Sequence, residues 1–123
     1  MKYTNDAALP KISDEEFAAL RASARSYCLL ILKKGPTLTE SEGDPQATRT
    51  ILEHGKRNAV LRAAGLMPII CPVRDDGELA GIGIFDAEPE EVERIYADDP
   101  AIQAGLLTYE IYPCWSFPGS TLP

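Results

Sequence analysis

MPIICPVRDDGELAGIGIFD, residues 67–86, decides the fold of this chain. Two apolar runs, 67–73 and 79–86, flank the polar stretch RDDGE, in which Asp76-Gly77 is a hairpin turn signal. Pro68 and Pro72 each lack a backbone donor, so the first of these strands should lie at a sheet edge. In the second, Gly81 and Gly83 alternate with Ile82 and Ile84, so both glycines share one face. Two glycines on one face leave room above the sheet, either for a ligand or for a closely packed helix or partner chain.

A strand and a helix precede this hairpin. SYCLLILK (26–33) is a continuous apolar run, which implies a strand buried on both faces and ended by Gly35-Pro36. A polar loop, 37–45, leads into a helix from about Pro45 to Ala64, with Gly65 as its C-cap. A helix and a strand follow the hairpin. Pro89 is a good first-turn residue, with Glu88, Glu90 and Glu91 favouring the helix dipole, and Val92, Ile95 and Tyr96 forming the buried stripe. Asp99-Pro100 interrupts this helix, AIQAG makes one more short turn closed by Gly105, and LLTYEIYPC (106–114) is the last strand.

The order strand, helix, strand, strand, helix, strand is the ferredoxin-like βαββαβ pattern: an α+β fold with an antiparallel sheet and its helices on one face. In that topology the second strand is an edge, where its prolines are tolerated. Residues 26–114 make this domain. Residues 1–25 are an N-terminal extension with a short extra helix, begun by Ser13 with Glu16 three residues on, and carrying Phe17, Leu20 and Ala24 on one stripe. Residues 115–123 form an extended tail, whose Trp115 and Phe117 should be anchored on that helix or on a second subunit.

Composition narrows the function. At 123 residues the chain suits one compact domain. Nineteen acids against twelve bases, a net charge of −7, leave no basic stripe for a nucleic acid or an anionic membrane surface. No apolar run is long enough to span a bilayer, and the N-terminus lacks a signal-peptide core, so a cytoplasmic location is expected. Cys28, Cys71 and Cys114 form no CxxC pair, which argues against a disulfide framework or a zinc site. GIGIFDAEPEE lacks the third glycine and the following helix of a dinucleotide loop, so no cofactor is expected.

His54 is the only histidine, and histidine is the side chain best suited to proton transfer near neutral pH. On a helical wheel Thr48, Ile51, Leu52, Gly55, Ala59 and Ala63 form one apolar or small face, with Arg49, Glu53, Lys56 and Arg57 opposite. His54 falls at the border, with Asn58 one turn on and Leu61 beyond, where it reaches both a pocket and its rim. A packing role is the plainer reading of such a histidine. Tyr96, Tyr109 and Tyr112 could line a pocket or belong to core and interface. Asp98 adds a carboxylate, but one histidine and scattered acids are a poor metal ligand set.

The segments SYCLLILKKGP, His54 in its helix, GELAGIGIFDA and ADDPAIQAGLLTYEIYP together make residues 26–114 resemble the YciI-like, or YCII-related, proteins. The resemblance implies a ferredoxin-like domain of the dimeric α/β-barrel type, hence a homodimer. It also implies a histidine and an aspartate that meet in a pocket, here His54 and Asp99. Close relatives often carry His-Pro-Cys near the end of the last strand, where this chain has Tyr112-Pro113-Cys114. A phenol donates a hydrogen bond but is no base near neutral pH, which weighs against a two-histidine mechanism. Local sequence reads Asp99 as the N-cap of AIQAG with Pro100 at the first helical position. The two roles are compatible, since one oxygen can cap while the other faces a cavity.

Two functions follow. One is a cofactor-free enzyme using His54 and Asp99 for proton transfer, isomerase- or lyase-like, on a small polar or aromatic metabolite held near Asn58, Gly81, Gly83 and Tyr112. The other is a non-catalytic dimeric domain that binds a small ligand or a partner. A His54 ring with one nitrogen on Asp99 and the other free favours the first.

Overall fold

The computed structural model describes residues 1–123, which divide into two compact units, Ser26–Trp115 and Met1–Arg25 with Ser116–Pro123. In the smaller unit a 3-10 turn, Asp6–Ala8, precedes helix α1, Asp14–Ala22. The Glu16 backbone N–H donates to Ser13 Oγ at 3.0 Å, so the expected N-cap forms. The stripe on α1 is not buried: Phe17 is 49 % and Leu20 40 % exposed, and the Arg21 guanidinium lies over the Phe17 ring.

The larger unit carries, but for the end residues Arg25 and Ser116, β1 (Arg25–Lys34), α2 (Pro45–Ala63), β2 (Ile69–Pro72), β3 (Leu79–Phe85), α3 (Pro89–Ala97), α4 (Pro100–Gln103) and β4 (Leu107–Ser116). The four strands form one antiparallel sheet in the order β2-β3-β1-β4, which is the expected ferredoxin-like βαββαβ topology. The edge strands hold the prolines, Pro72 on β2 and Pro113 on β4, where a missing donor breaks no ladder. Because Pro113 is tolerated there, β4 runs on to Ser116 instead of ending at Cys114. Trp115 therefore sits in strand geometry and is 62 % exposed in the single chain, while Phe117 is half-buried.

Register explains which side chains meet. Leu30 pairs with Gly83 and Leu32 with Gly81 across β1 and β3, and Ile70 and Pro72 of β2 pair with the same two glycines. All of these share the face on which Cys28, Leu30, Leu32 and Phe85 meet Leu61 of α2 and Val92 and Tyr96 of α3 in the core. Phe85 and Tyr96 pack edge to face, with ring centroids 5.9 Å apart. A register shift between Leu32 and Lys33 displaces Ala80, which packs against the core as well. The β2–β3 hairpin forms, but Gly77 does not adopt a positive φ, so Asp76-Gly77 is part of a wider loop and not a tight two-residue turn.

Helix α2 buries the border of its apolar face more deeply than the centre of that face. His54, Asn58 and Leu61 are its buried residues, whereas Leu52 and Val60 are 49 % and 66 % exposed. Polar groups can be buried when they satisfy one another, and His54 and Asn58 do so. Gly65, at φ +78°, ends the helix as expected.

Gly35 holds the end of β1 against the entry to β4. Its N–H donates to the Leu106 carbonyl at 2.8 Å, and a Cβ there would stand 2.2 Å from the Gly105 carbonyl oxygen. Backbone cannot yield as a flexible side chain does. Gly35→Ala is therefore expected to cost on the order of 3 kcal/mol, read as a lower urea midpoint; an unchanged midpoint would contradict this close approach.

Candidate active site

Asp99 is placed by the start of α4. Its side chain accepts the backbone N–H groups of Ala101 at 3.0 Å and Ile102 at 3.3 Å, with Pro100 in the first turn, so the N-cap reading holds. The carboxylate is fully buried. A buried carboxylate needs more than two partners, and α2 supplies them. His54 Nδ1 lies 3.0 Å from both Asp99 oxygens, and Arg57 Nη1 lies 3.7 Å from Oδ1. That Arg57 nitrogen is buried and has no hydrogen-bond partner. The expected meeting of His54 and Asp99 is thus direct, with no water between them.

Burial pushes the Asp99 carboxyl up. The His54 hydrogen bond and charge, with the two backbone donors, outweigh burial and hold it below the usual carboxylate range. An ionised Asp99 only accepts, so His54 Nδ1 carries the hydrogen, and in the neutral ring Nε2 then holds the lone pair. Nε2 is not bare: Asn58 Nδ2 lies 3.2 Å from it, and Tyr96 Oη donates to Asn58 Oδ1 at 2.6 Å. Burial pushes the Tyr96 phenol well up, and the Asp99 charge adds to that, so Tyr96 keeps its hydrogen.

This chain of side chains closes one wall of a cavity of about 420 Å³, which His54, Asn58 and Tyr96 all line. The sheet contributes apolar surface from Leu30, Leu32, Ile70 and Leu107, and Arg62 of α2 adds the one full charge. Such a mixture, apolar walls with a few convergent polar groups, suits a small organic ligand.

The two strand glycines part company here. Gly81 lines the cavity, whereas the space over Gly83 is filled by Met67, whose Sδ would stand 2.6 Å from a Cβ at that position. Met67 is fully buried and itself forms part of the wall. Met67→Ala is expected to cost about 2–5 kcal/mol and to extend the cavity over Gly83. Chemical denaturation and a ligand-free crystal structure check the two parts; a loss under 1 kcal/mol would show that neighbouring side chains collapse into the space. Tyr112 is not brought to the cavity. It is 46 % exposed and donates to the Glu110 carboxylate on its own strand. Asp98 is exposed at the end of α3, and no group of three His, Cys, Asp or Glu residues is placed to hold a metal ion.

One member of the site escapes the sequence: a helical wheel sets Arg57 on the water face, although a residue three positions after a buried histidine is its neighbour on the helix. Tyr96 does line the pocket, one of the two places its sequence allows, and its hydroxyl partner is visible only in the fold.

The family model for the YCII-related domain matches residues 13–117. No curated protein matches the chain significantly. Among solved structures, the chain is similar to the 5-chloro-2-hydroxyhydroquinone dehydrochlorinase TftG from Burkholderia phenoliruptrix AC1100, determined in complex with 2,5-dihydroxybenzoquinone. The two are 20 % identical, with a TM-score of 0.46 over 70 % of this chain and 90 % of that one.

Proposed function

The chain belongs to the YCII-related family, and on that premise we propose that it is a small enzyme that moves a proton, with His54 as the base and Asp99 as its partner. The observation that carries this reading is the buried His54–Asp99 pair, in which the His54 ring lines the cavity and Asp99 lies behind it. Asp99 fixes the tautomer and the orientation of the ring, so that Nε2 is the nitrogen available to act as a base. Neither group is a strong nucleophile, so abstraction of a C–H proton next to a carbonyl, followed by isomerisation or elimination, fits better than covalent catalysis. The cavity selects a small substrate with an apolar or aromatic body and a polar group directed at His54.

The test is solvent exchange. The protein, incubated in D2O with a panel of small cyclic and aromatic ketones, should wash deuterium into one class at the carbon next to the carbonyl. Ala59→Phe, which crowds the cavity from α2 without touching the His54 contacts, should abolish that exchange. Equal exchange in this variant would place the chemistry elsewhere.

A second reading, a ligand-binding domain without catalysis, is favoured by one observation. Asn58 occupies the nitrogen that a free base would show. Saturable binding of a panel member with no exchange would select it.

The functional unit we infer is a homodimer. Leu29, Ile31, Ile69, Ile82 and Ile84 lie on the sheet face away from the buried core side chains and are each only half-buried. A second copy covers such a face symmetrically. Light scattering at micromolar concentration should give twice 13.4 kDa, and a monomer would contradict the inference. No helix is long and apolar enough to cross a membrane.

A further inference from the structure

The hydrogens of the site can be assigned one by one. Tyr96 Oη and Asn58 Oδ1 are 2.6 Å apart, a length typical of O–H···O and short for N–H···O. The Asn58 oxygen therefore faces Tyr96, and its NH2 group faces His54. Read in order, Tyr96 O–H donates to Asn58 Oδ1, Asn58 N–H donates to His54 Nε2, and His54 Nδ1–H donates to Asp99. Each donor has one acceptor, and the direction is the same throughout.

A proton on Nε2 breaks this order. Nε2–H would then point at Asn58 N–H, donor against donor, in a buried place where unmade hydrogen bonds are costly. Turning the amide over by half a rotation restores the match. Asn58 Oδ1 then accepts from Nε2–H, and Asn58 Nδ2 donates to Tyr96 Oη. The Tyr96 hydrogen loses its acceptor by this turn and has to find another. Tyr96 lines the cavity, whose strand-side wall is apolar, so the new acceptor comes from what fills the cavity: water in the free protein, an oxygen of the ligand when one is bound.

We propose that Asn58 is a proton-coupled amide switch: protonation of His54 turns its side chain over and releases the Tyr96 hydroxyl to an oxygen of the ligand. The proposal rests on His54 being the proton acceptor. Its chemistry balances without a co-reactant. The Asn58 N–H leaves the one Nε2 lone pair, the substrate C–H bond breaks, and its proton goes to that lone pair. The bonding pair moves toward the neighbouring carbonyl, whose oxygen becomes an enolate and accepts the Tyr96 hydrogen bond. Return of the proton to carbon reverses the turn. Asn58 is a positioning residue, and Tyr96 is the donor to the developing oxyanion. The charged and titratable groups around His54 are Asp99 on α4, Arg57 and Arg62 on α2, Tyr96 on α3 and Cys71 on β2. None of the others stands between Nε2 and Asn58.

Nitrogen NMR on the uniformly labelled full chain tests this, because His54 is the only histidine and its ring signals are unambiguous. At alkaline pH a coupling across the hydrogen bond should join Asn58 Nδ2 to His54 Nε2. On acidification that coupling should vanish, and the Asn58 amide signals should move in the same transition as the ring. A ring that gains its proton while the Asn58 signals stay in place would overturn the switch. In Tyr96→Phe nothing fixes the amide, so the coupling at alkaline pH should be largely lost; an undiminished coupling would remove Tyr96 from the proposal. Turnover enters neither measurement. A coupled transition without solvent exchange keeps the switch and loses the enzyme, whereas exchange with a stationary Asn58 does the reverse.

Discussion

Asp99→Ala is expected to remove about 3–5 kcal/mol of folding stability, a large share of what a domain of this size possesses. Three losses combine. The N-cap of α4 goes, which alone costs about 1 kcal/mol. His54 Nδ1 loses its acceptor in a buried place. Arg57 Nη1, already without a hydrogen bond, loses the nearby opposite charge. Urea denaturation reads the sum. A loss below 1 kcal/mol would mean that water replaces the carboxylate and that the site is wetter than its burial indicates. A pH dependence accompanies it. The Asp99 carboxyl is held below its ordinary value of 3.8 in the folded chain, so its contribution is present above that value and is lost as pH falls through the folded one. The native chain should therefore lose stability on acidification faster than Asp99→Asn, and identical acid limbs would contradict the assignment.

His54→Gln should lower solvent exchange into the substrate by about a hundred- to ten-thousand-fold, the range supplied by a positioned general base. Glutamine can still hydrogen-bond but takes no proton near neutral pH. Because His54 is buried and bonded at both nitrogens, the same variant should also cost about 1–2 kcal/mol of stability. A surface histidine would cost nothing. Activity lost at undiminished stability would mean that the ring stands more open than its contacts imply. Undiminished activity, measured on the substrate found by exchange, would remove His54 from the chemistry.

The fold was legible because several local signals agreed. Pro68 and Pro72 marked an edge strand, Gly65 marked a helix end, and the strands in 67–86 fell between two helices. The inner face of α2 was legible in part: Ile51, Gly55 and Ala59 line the cavity, but the deepest residues are His54, Asn58 and Leu61 at the border of that face. A wheel weighs apolarity, and here burial is decided by a polar chain that runs from α2 to α3 and α4, each link of which needs the others. Asp99 was readable as a cap from its neighbours and as a partner of His54 only by family resemblance. Asn58 was placed near the pocket by its spacing from His54. Its hydrogen bond to Tyr96, 38 positions away, depends on tertiary contact alone. Gly35 looked like a strand end, and only the fold shows the backbone lying against it.

The direct measurement is the tautomer of His54. A nitrogen spectrum of the ring at alkaline pH should show Nδ1 bearing the hydrogen, in slow exchange with water, and Nε2 unprotonated. That result places Asp99 behind the ring and the base in front of it. An Nε2–H ring would contradict the account, because Nδ1 would then face the Asp99 carboxylate with no hydrogen to offer.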